Sequence, residues 1–328
     1  MNLFQKILIA PKVILKSSEL IKNPYRALFD YLILRKPYID IKLRNGSAIK
    51  ASRVLYRRLL YWYYKGYIQD CNNNEIIFKI KEKTYSIPLS REINEYDIGG
   101  IALALENGWV YDNGYWIFNN IKFKHMYGPI SEIFNFKEYD ILDVKNKKVL
   151  DIGGFVGDSA IYFVHKGAKK VYSIEPHPDA YKEMLENIKL NNMEDKIVPI
   201  NMGISYDSNY VVIDKDTSST AGSFFRGSKK EGIKIPAAPL REIIKNYNID
   251  AKVLKIDCEG CEYDIILKDY ETIREFDQIF FEYHEYNTGI SVKKLLKILS
   301  SDFDCKIVKI SGRRINGTWR LVYCIKKH

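Results

Sequence analysis

VLDIGGFVGDSAIYF, residues 149–163, is the stretch on which the reading of the fold turns. An apolar run ends on Asp151. Gly153 and Gly157 follow, and then a second apolar run at helical spacing. This is a buried strand passing through a glycine turn into a helix. Glycine permits the tight turn and a close approach of a ligand to the backbone, and the helix N-terminus offers free N–H groups to an anion. Glu175 ends the next strand, 24 residues after Asp151 (175 − 151). A carboxylate there accepts hydrogen bonds from both hydroxyls of a ribose. The arrangement alone suits a dinucleotide as well as S-adenosylmethionine.

The same rhythm continues outward. KVYSIEP reads as a strand, PDAYKEMLENIKLNN as a helix opened by Pro178 and closed by an asparagine pair, and KIVPINMGIS as a strand. A hairpin-like insert spans 203–236. PLREIIKNYN is then a helix, KVLKIDC a strand, FDQIFFEYHEY a strand and SVKKLLKILSS a helix. CKIVKISG and WRLVYCIKK form a closing hairpin turned at Asn316-Gly317. Alternating strands and helices predict an α/β, doubly wound, Rossmann-like domain over 141–328, with a mostly parallel seven-stranded sheet whose last strand is antiparallel. Residues 1–140 read differently, as a mixed α+β region. Residues 3–35 suggest amphipathic helices broken near Pro11 and Asn23-Pro24, YIDIKLRNG (38–46) a strand and 51–65 a helix. EIIFKIKEKTYSIPL (75–89) suggests a hairpin, and 108–126 a second one turned at Asn113-Gly114.

The net charge of +10 is uneven. Residues 1–66 carry 14 Lys and Arg against 3 Asp and Glu, whereas the remainder carries 37 against 38, so the whole excess lies in the first fifth. Basic and aromatic residues interleave in RVLYRRLLYWYYKGY, 53–67. An anionic membrane surface or RNA would suit that region. An ordinary solvated helix with Val54, Leu55, Leu59, Trp62 and Tyr63 turned inward also fits. The N-terminal stretch has neither a long apolar run nor a cleavage signal, which argues against a transmembrane segment or an export signal. Five cysteines, an odd number over this length, suit a reducing interior. The expected location is cytoplasmic, with peripheral membrane contact through residues 1–66 open.

The acidic stretch LKIDCEGCEYDIIL, 254–267, sits where the fourth strand ends, the edge at which doubly wound folds bind ligands. Asp257, Glu259 and Glu262 crowd there, and FFEYHEY (280–286) brings Glu282, His284 and Glu285 to the neighbouring strand end. A carboxylate or imidazole in that place can take a proton from a weak nucleophile such as a hydroxyl. Alternatively, Glu259 and Glu262 only cap a helix N-terminus.

DIGGFVGDSA, then IEPHPDAYKEMLENIKLNN, then LKIDCEGCEYDIIL resemble the FkbM family of S-adenosylmethionine-dependent methyltransferases, over roughly 145–285. The resemblance implies that Asp151, Gly153 and Gly157 form the cofactor turn and that Glu175 holds the ribose. It places Met202 and Gly203 against adenine. Phe155 stands where the family has a polar Asn, so backbone N–H groups or Ser159 would meet the methionine end. Where the family has Val and a small residue, this chain has Cys258 and Cys261. A zinc site needs four ligands, and no second C-x-x-C or paired His cluster exists in the sequence. A redox pair would not normally sit among carboxylates. Structural thiols are therefore expected. Asp257, Glu259 and His284 are the expected catalytic groups. No metal is assigned, although Asp257, Glu259 and Glu282 are the less favoured divalent-ion set. The implied reaction is O-methylation of a glycan or glycolipid hydroxyl. An RNA methyltransferase and a non-catalytic S-adenosylmethionine-binding module are the rivals.

Overall fold

The computed structural model describes residues 12, 14–72, 74–80, 82–88, 97–213, 232–309 and 320–327. The chain forms two compact units: Met1–Ile121 with His125–Ser131, and Lys122–Lys124 with Glu132–His328.

The second unit is built on β1 (Lys148–Ile152), α1 (Asp158–His165), β2 (Lys170–Ile174), α2 (Pro178–Leu190), β3 (Ile197–Ile200), α3 (Leu240–Asn246), β4 (Val253–Ile256), α4 (Cys261–Lys268), β5 (Gln278–Glu282), α5 (Val292–Leu299), β6 (Phe303–Val308) and β7 (Leu321–Lys326). The seven strands are ordered β3-β2-β1-β4-β5-β7-β6. The first five are mutually parallel, and β7 runs antiparallel to both β5 and β6. The turn expected at Asn316-Gly317 lies outside the described residues.

Central strands covered on both faces need continuous apolar runs rather than alternation. Accordingly every residue of β4 and β5 is buried, as are Val149 to Ile152 of β1. Leu150, Ile152, Ile174, Leu254, Ile256 and Phe281 form the sheet's part of the core, with Leu240, Tyr263 and Leu295 packed on it from helices. Truncating one such residue, Leu295→Ala for example, costs roughly 2–5 kcal/mol. The helix signals act locally. Pro178 opens α2, whose N-cap His177 accepts from the N–H of Asp179 and Ala180, and Asn192 ends it at φ +53°.

Two strands are shorter than expected. The third leaves the main sheet at Ile200, because Asn201 ties its side-chain amide to the carbonyls of Glu175 and Pro176 (2.8 and 3.2 Å). Gly203–Ile204 and Tyr210–Ile213 pair instead with Ile233–Ala238 in a separate sheet. The fifth strand stops at Glu282, and Glu285–Thr288 forms one helical turn closed by Gly289 at φ +69°.

The first unit holds the expected hairpins. Tyr38–Lys42 pairs with Ala48–Ser52, and Glu75–Ile80 with Lys83–Pro88. Val110–Asp112 pairs with Tyr115–Phe118 across Asn113 (φ +50°) and Gly114 (φ +84°), the left-handed pair a two-residue hairpin requires. Helix Arg53–Tyr64 is capped by the Ser52 hydroxyl, which accepts from Leu55 N–H. Its inward face is Tyr56, Leu59, Leu60 and Trp62; Leu55 and Tyr63 are half-buried at its margin. The shift follows from what the helix packs on, the Tyr38–Ser52 hairpin and helix Asp97–Glu106.

Candidate active site

The glycine turn leaves β1 at Gly153 (φ +79°), where an added Cβ would lie 1.7 Å from the Asp257 carbonyl oxygen. The two central strand ends touch there, so no larger residue fits. Gly154 is equally constrained: a Cβ would meet Ser173 Oγ at 2.0 Å. Phe155 takes φ +44° and Gly157 φ +85°. The buried Asn187 side chain of α2 donates to Val156 O (2.9 Å) and fastens the turn from outside.

Beneath the turn a polar line crosses the three central strands. Ser173, Asp151 and Lys255 are register partners on β2, β1 and β4. Partners in a parallel sheet share a face, so these side chains meet. Asp151 is wholly buried. Its carboxylate accepts from Ser159 Oγ (2.7 Å) and Ser173 Oγ (2.8 Å), and stands 3.0 Å from Lys255 Nζ. Lys255, 2% exposed, also donates to the Gly153 carbonyl at 2.6 Å. Burial alone lowers a lysine's pKa, but the Asp151 and Asp257 charges more than offset it and raise that of Lys255. Asp151 and Ser159 hydrogen-bond to each other and Asp151 pairs with Lys255, so both side chains have protein partners beneath the turn. The sequence signal for Lys255 was present: a lysine inside VLKI is a charge in a fully buried strand, and such a charge needs a partner.

Glu175, 7% exposed, has both oxygens anchored, one by Phe155 N–H (2.8 Å) and one by His177 N–H (2.7 Å). Burial pushes its pKa up to about 7, against those hydrogen bonds. Each carboxylate oxygen has a second lone pair, so the group can still accept from two ribose hydroxyls. Glu175 and the backbone of the Gly153–Gly157 turn therefore fit an adenosyl cofactor. Met202 is half-buried against the core. Gly203 is buried where a Cβ would lie 2.4 Å from Val211 Cγ2, which ties this glycine to packing with the separate sheet.

The acidic stretch forms a second cluster at the ends of β4 and β5. Glu262, fully buried at the start of α4, accepts from the N–H of Gly260 (2.8 Å) and of His284 (2.9 Å). The same Glu262 oxygen lies 2.9 Å from His284 Nδ1. His284 Nε2 then faces Glu259 at 3.4 Å, Glu282 at 3.9 Å and Asp257 at 4.0 Å. Burial works against its charge. The Glu262 hydrogen bond and the Glu262, Asp257 and Glu259 charges outweigh burial and raise its pKa to about 9. An ordinary imidazole near 6.5 would be neutral at physiological pH; this one is a cation. Glu282, by contrast, is driven well above the usual carboxylate range by burial and by the Asp257 charge. One ligand atom each from Asp257, Glu282 and His284 lies within 4.8 Å of the others, a spacing a divalent ion could bridge. Glu259 stands at φ +56°, its carbonyl accepting from the Asn287 side chain at 3.0 Å.

Cys258 and Cys261 are joined, and so are Cys305 and Cys324; Cys71 is free and buried. The expectation of free structural thiols fails at the acidic turn. Helix start and turn bring the two Cα atoms within 5.5 Å, inside the range a disulfide spans. Cys305 and Cys324 lie directly opposite one another on β6 and β7.

A doubly wound sheet in this order, with its seventh strand reversed, a glycine turn after β1 and a buried carboxylate after β2, places the unit among Rossmann-like methyltransferase domains. Residues 151–305 match the methyltransferase FkbM domain. That match spans 155 of the 328 residues (305 − 151 + 1), a little under half of the chain.

The chain is 46% identical over 54 residues to a Methanocaldococcus jannaschii relative named "Putative protein N5-glutamine methyltransferase", covering 16% of this chain and 27% of that protein. It is 27% identical over 148 residues to an uncharacterized protein of Sulfolobus islandicus rod-shaped virus 1, covering 45% of this chain and 67% of the viral one. Among solved structures, an FkbM methyltransferase from Methylobacillus flagellatus aligns with 15% identity, a TM-score of 0.42 and coverage of 72% of this chain and 56% of that one. An O-methyltransferase from Bacillus cereus, in complex with S-adenosylhomocysteine, aligns with 11% identity, a TM-score of 0.36 and coverage of 55% and 74%. No described helix is long and apolar enough to cross a membrane.

Proposed function

We propose that the protein transfers a methyl group from S-adenosylmethionine to a hydroxyl, the acceptor being a glycan or glycolipid. The observation that carries this reading is the acidic turn: a half-exposed carboxylate, Asp257, beside an imidazolium, His284, at the carboxyl edge of the two central strands. The glycine turn reaches the same edge through the contact of Gly153 with Asp257.

The cofactor would be held by Glu175 at its ribose and by the turn's N–H groups, with the strand end at Met202 beside the adenine. When bound, it supplies an electrophilic methyl carbon on a positively charged sulfur. The chain's own residues position the acceptor and receive its proton. As the acceptor oxygen bonds to the methyl carbon, the carbon–sulfur bond breaks and the hydroxyl proton passes to Asp257. A positioned base of this kind contributes about 10²–10⁴-fold. His284, already protonated, offsets the charges of Asp257 and Glu259 and orients them; Glu262 holds its ring. A protonated His284 and a His284 ligating a divalent ion with Asp257 and Glu282 exclude one another, and this reading takes the protonated form.

Asp257→Asn should cut turnover at least about 100-fold while leaving S-adenosylmethionine binding nearly unchanged. A chelator should not alter turnover. Full turnover in Asp257→Asn would move the reacting centre elsewhere. Methylation of RNA but not of any carbohydrate hydroxyl would replace the acceptor class.

A further inference from the structure

Helix Pro24–Leu32 of the first unit is turned inside out. It buries Pro24, Ala27 and Asp30, while Tyr25 (72% exposed), Phe29 (45%) and Leu32 (53%), followed by Ile33 (65%), face outward. These are positions i, i+4, i+7 and i+8, the apolar stripe that a soluble helix normally presses into its core. Leu34 (48%) and Tyr38 (54%) extend the surface beyond the helix. Single exposed apolar side chains are ordinary, but a run of this kind marks a surface built to be covered.

The inward Asp30 is itself compensated, by Arg26 at 3.3 Å and Lys36 at 3.1 Å. The outward face therefore carries no acidic group of its own and is flanked by the exposed Lys22, Arg26 and Arg35. Residues 1–66 carry 14 basic against 3 acidic residues, a net +11. An apolar stripe flanked by cations suits an anionic bilayer, in which hydrocarbon enters the boundary of headgroups and acyl chains and cations meet lipid phosphates. RNA fits less well: Tyr25, Phe29 and Tyr38 could stack on bases, but Leu32, Ile33 and Leu34 on the same surface offer no such plane and suit hydrocarbon instead. The basic helix Arg53–Tyr64 does not compete for the role at its first residue: Arg53 lies 4.3 Å over the Tyr31 ring and donates to the Tyr31 carbonyl at 2.6 Å.

We propose that the outward face of residues 24–38 docks the protein on anionic membranes, with Phe29, Leu32 and Ile33 entering the lipid and Lys22, Arg26 and Arg35 on the headgroups. This is independent of the reaction proposed above.

The test is co-sedimentation of the full chain with phosphatidylglycerol–phosphatidylcholine vesicles and with pure phosphatidylcholine vesicles. Binding should be strong to the anionic vesicles at low salt and several-fold weaker on neutral vesicles or at high salt. Phe29→Ser with Ile33→Ser alters only exposed positions, so the circular dichroism spectrum should be retained while vesicle partitioning drops at least about tenfold. Three results overturn the proposal: no pelleting of the wild type with anionic vesicles, undiminished binding by the double variant, or a wild-type dimer that the double variant dissociates without any vesicle binding. A gel shift of RNA that the double variant abolishes, with no binding to vesicles, would assign the face to nucleic acid instead.

Discussion

Lys255→Met is the substitution that most directly tests how the cofactor turn is held. Methionine keeps the length and apolar stem of the side chain but removes the ammonium. Asp151, wholly buried, would keep its two serine hydroxyls and lose the cation at 3.0 Å. The Gly153 carbonyl would lose its 2.6 Å donor as well. Removing one member of a buried ion pair costs about 3–5 kcal/mol, because the remaining charge stays desolvated without its partner. For a unit of about 200 residues, each kcal/mol moves the melting temperature by about 2–4 °C, so a fall of about 6–20 °C is expected. Asp151→Asn with Lys255→Met removes both charges. It should recover at least about 2 kcal/mol relative to the sum of the single variants. Calorimetric melts of the four proteins measure the cycle, and titration with S-adenosylmethionine should show weaker binding in Lys255→Met by about 1–3 kcal/mol. If Lys255→Met melts within about 2 °C of wild type, or if the two substitutions are merely additive, the pair does not hold the turn and this reasoning is wrong.

Glu175→Gln should weaken S-adenosylmethionine binding by about 1–3 kcal/mol, and wild-type affinity should rise as pH passes about 7, where the buried carboxyl ionises; tight binding of a nicotinamide dinucleotide in its place would overturn the cofactor assignment. The folded-state pKa of His284 lies above its ordinary 6.5, so its stabilising contribution is complete below pH 6.5 and is lost as pH rises through about 9. The melting difference between wild type and His284→Gln should close over that window. Turnover should decline there too as the imidazolium discharges; a rise would make His284 the base. Non-reducing peptide mapping should recover Cys258–Cys261 and Cys305–Cys324 as linked pairs, with Cys71, whose pKa burial raises to about 12, alkylated only after unfolding. Five free thiols in the native protein would contradict the pairing.

The sequence by itself determined the order of elements in the second unit, because each signal there is local. Gly153 and Gly157 turn the chain, Pro178 opens a helix, and short apolar runs such as IFF (279–281) between turn signals read as buried strands. It also placed Glu175 and Asp257 at strand ends, because strand polarity and the position of a ligand at the carboxyl edge follow from the alternation of strand and helix. Tertiary structure alone decided what those side chains do. Asp151 was legible as the residue leading into the glycine turn, but β4 arrives beside β1 in register and sets Lys255 against it, a contact between residues 104 positions apart (255 − 151) that no local spacing encodes. His284 carried no sign of being a cation until Glu262, Glu259 and Asp257 gathered around its ring. Cys305 and Cys324 are joined across two strands whose register is set by the whole sheet. In the first unit the amphipathic period of residues 24–33 was legible, but its direction was not. Periodicity states that a helix has an apolar stripe; only the packing of Ala27 and Asp30 inward shows that the stripe faces out.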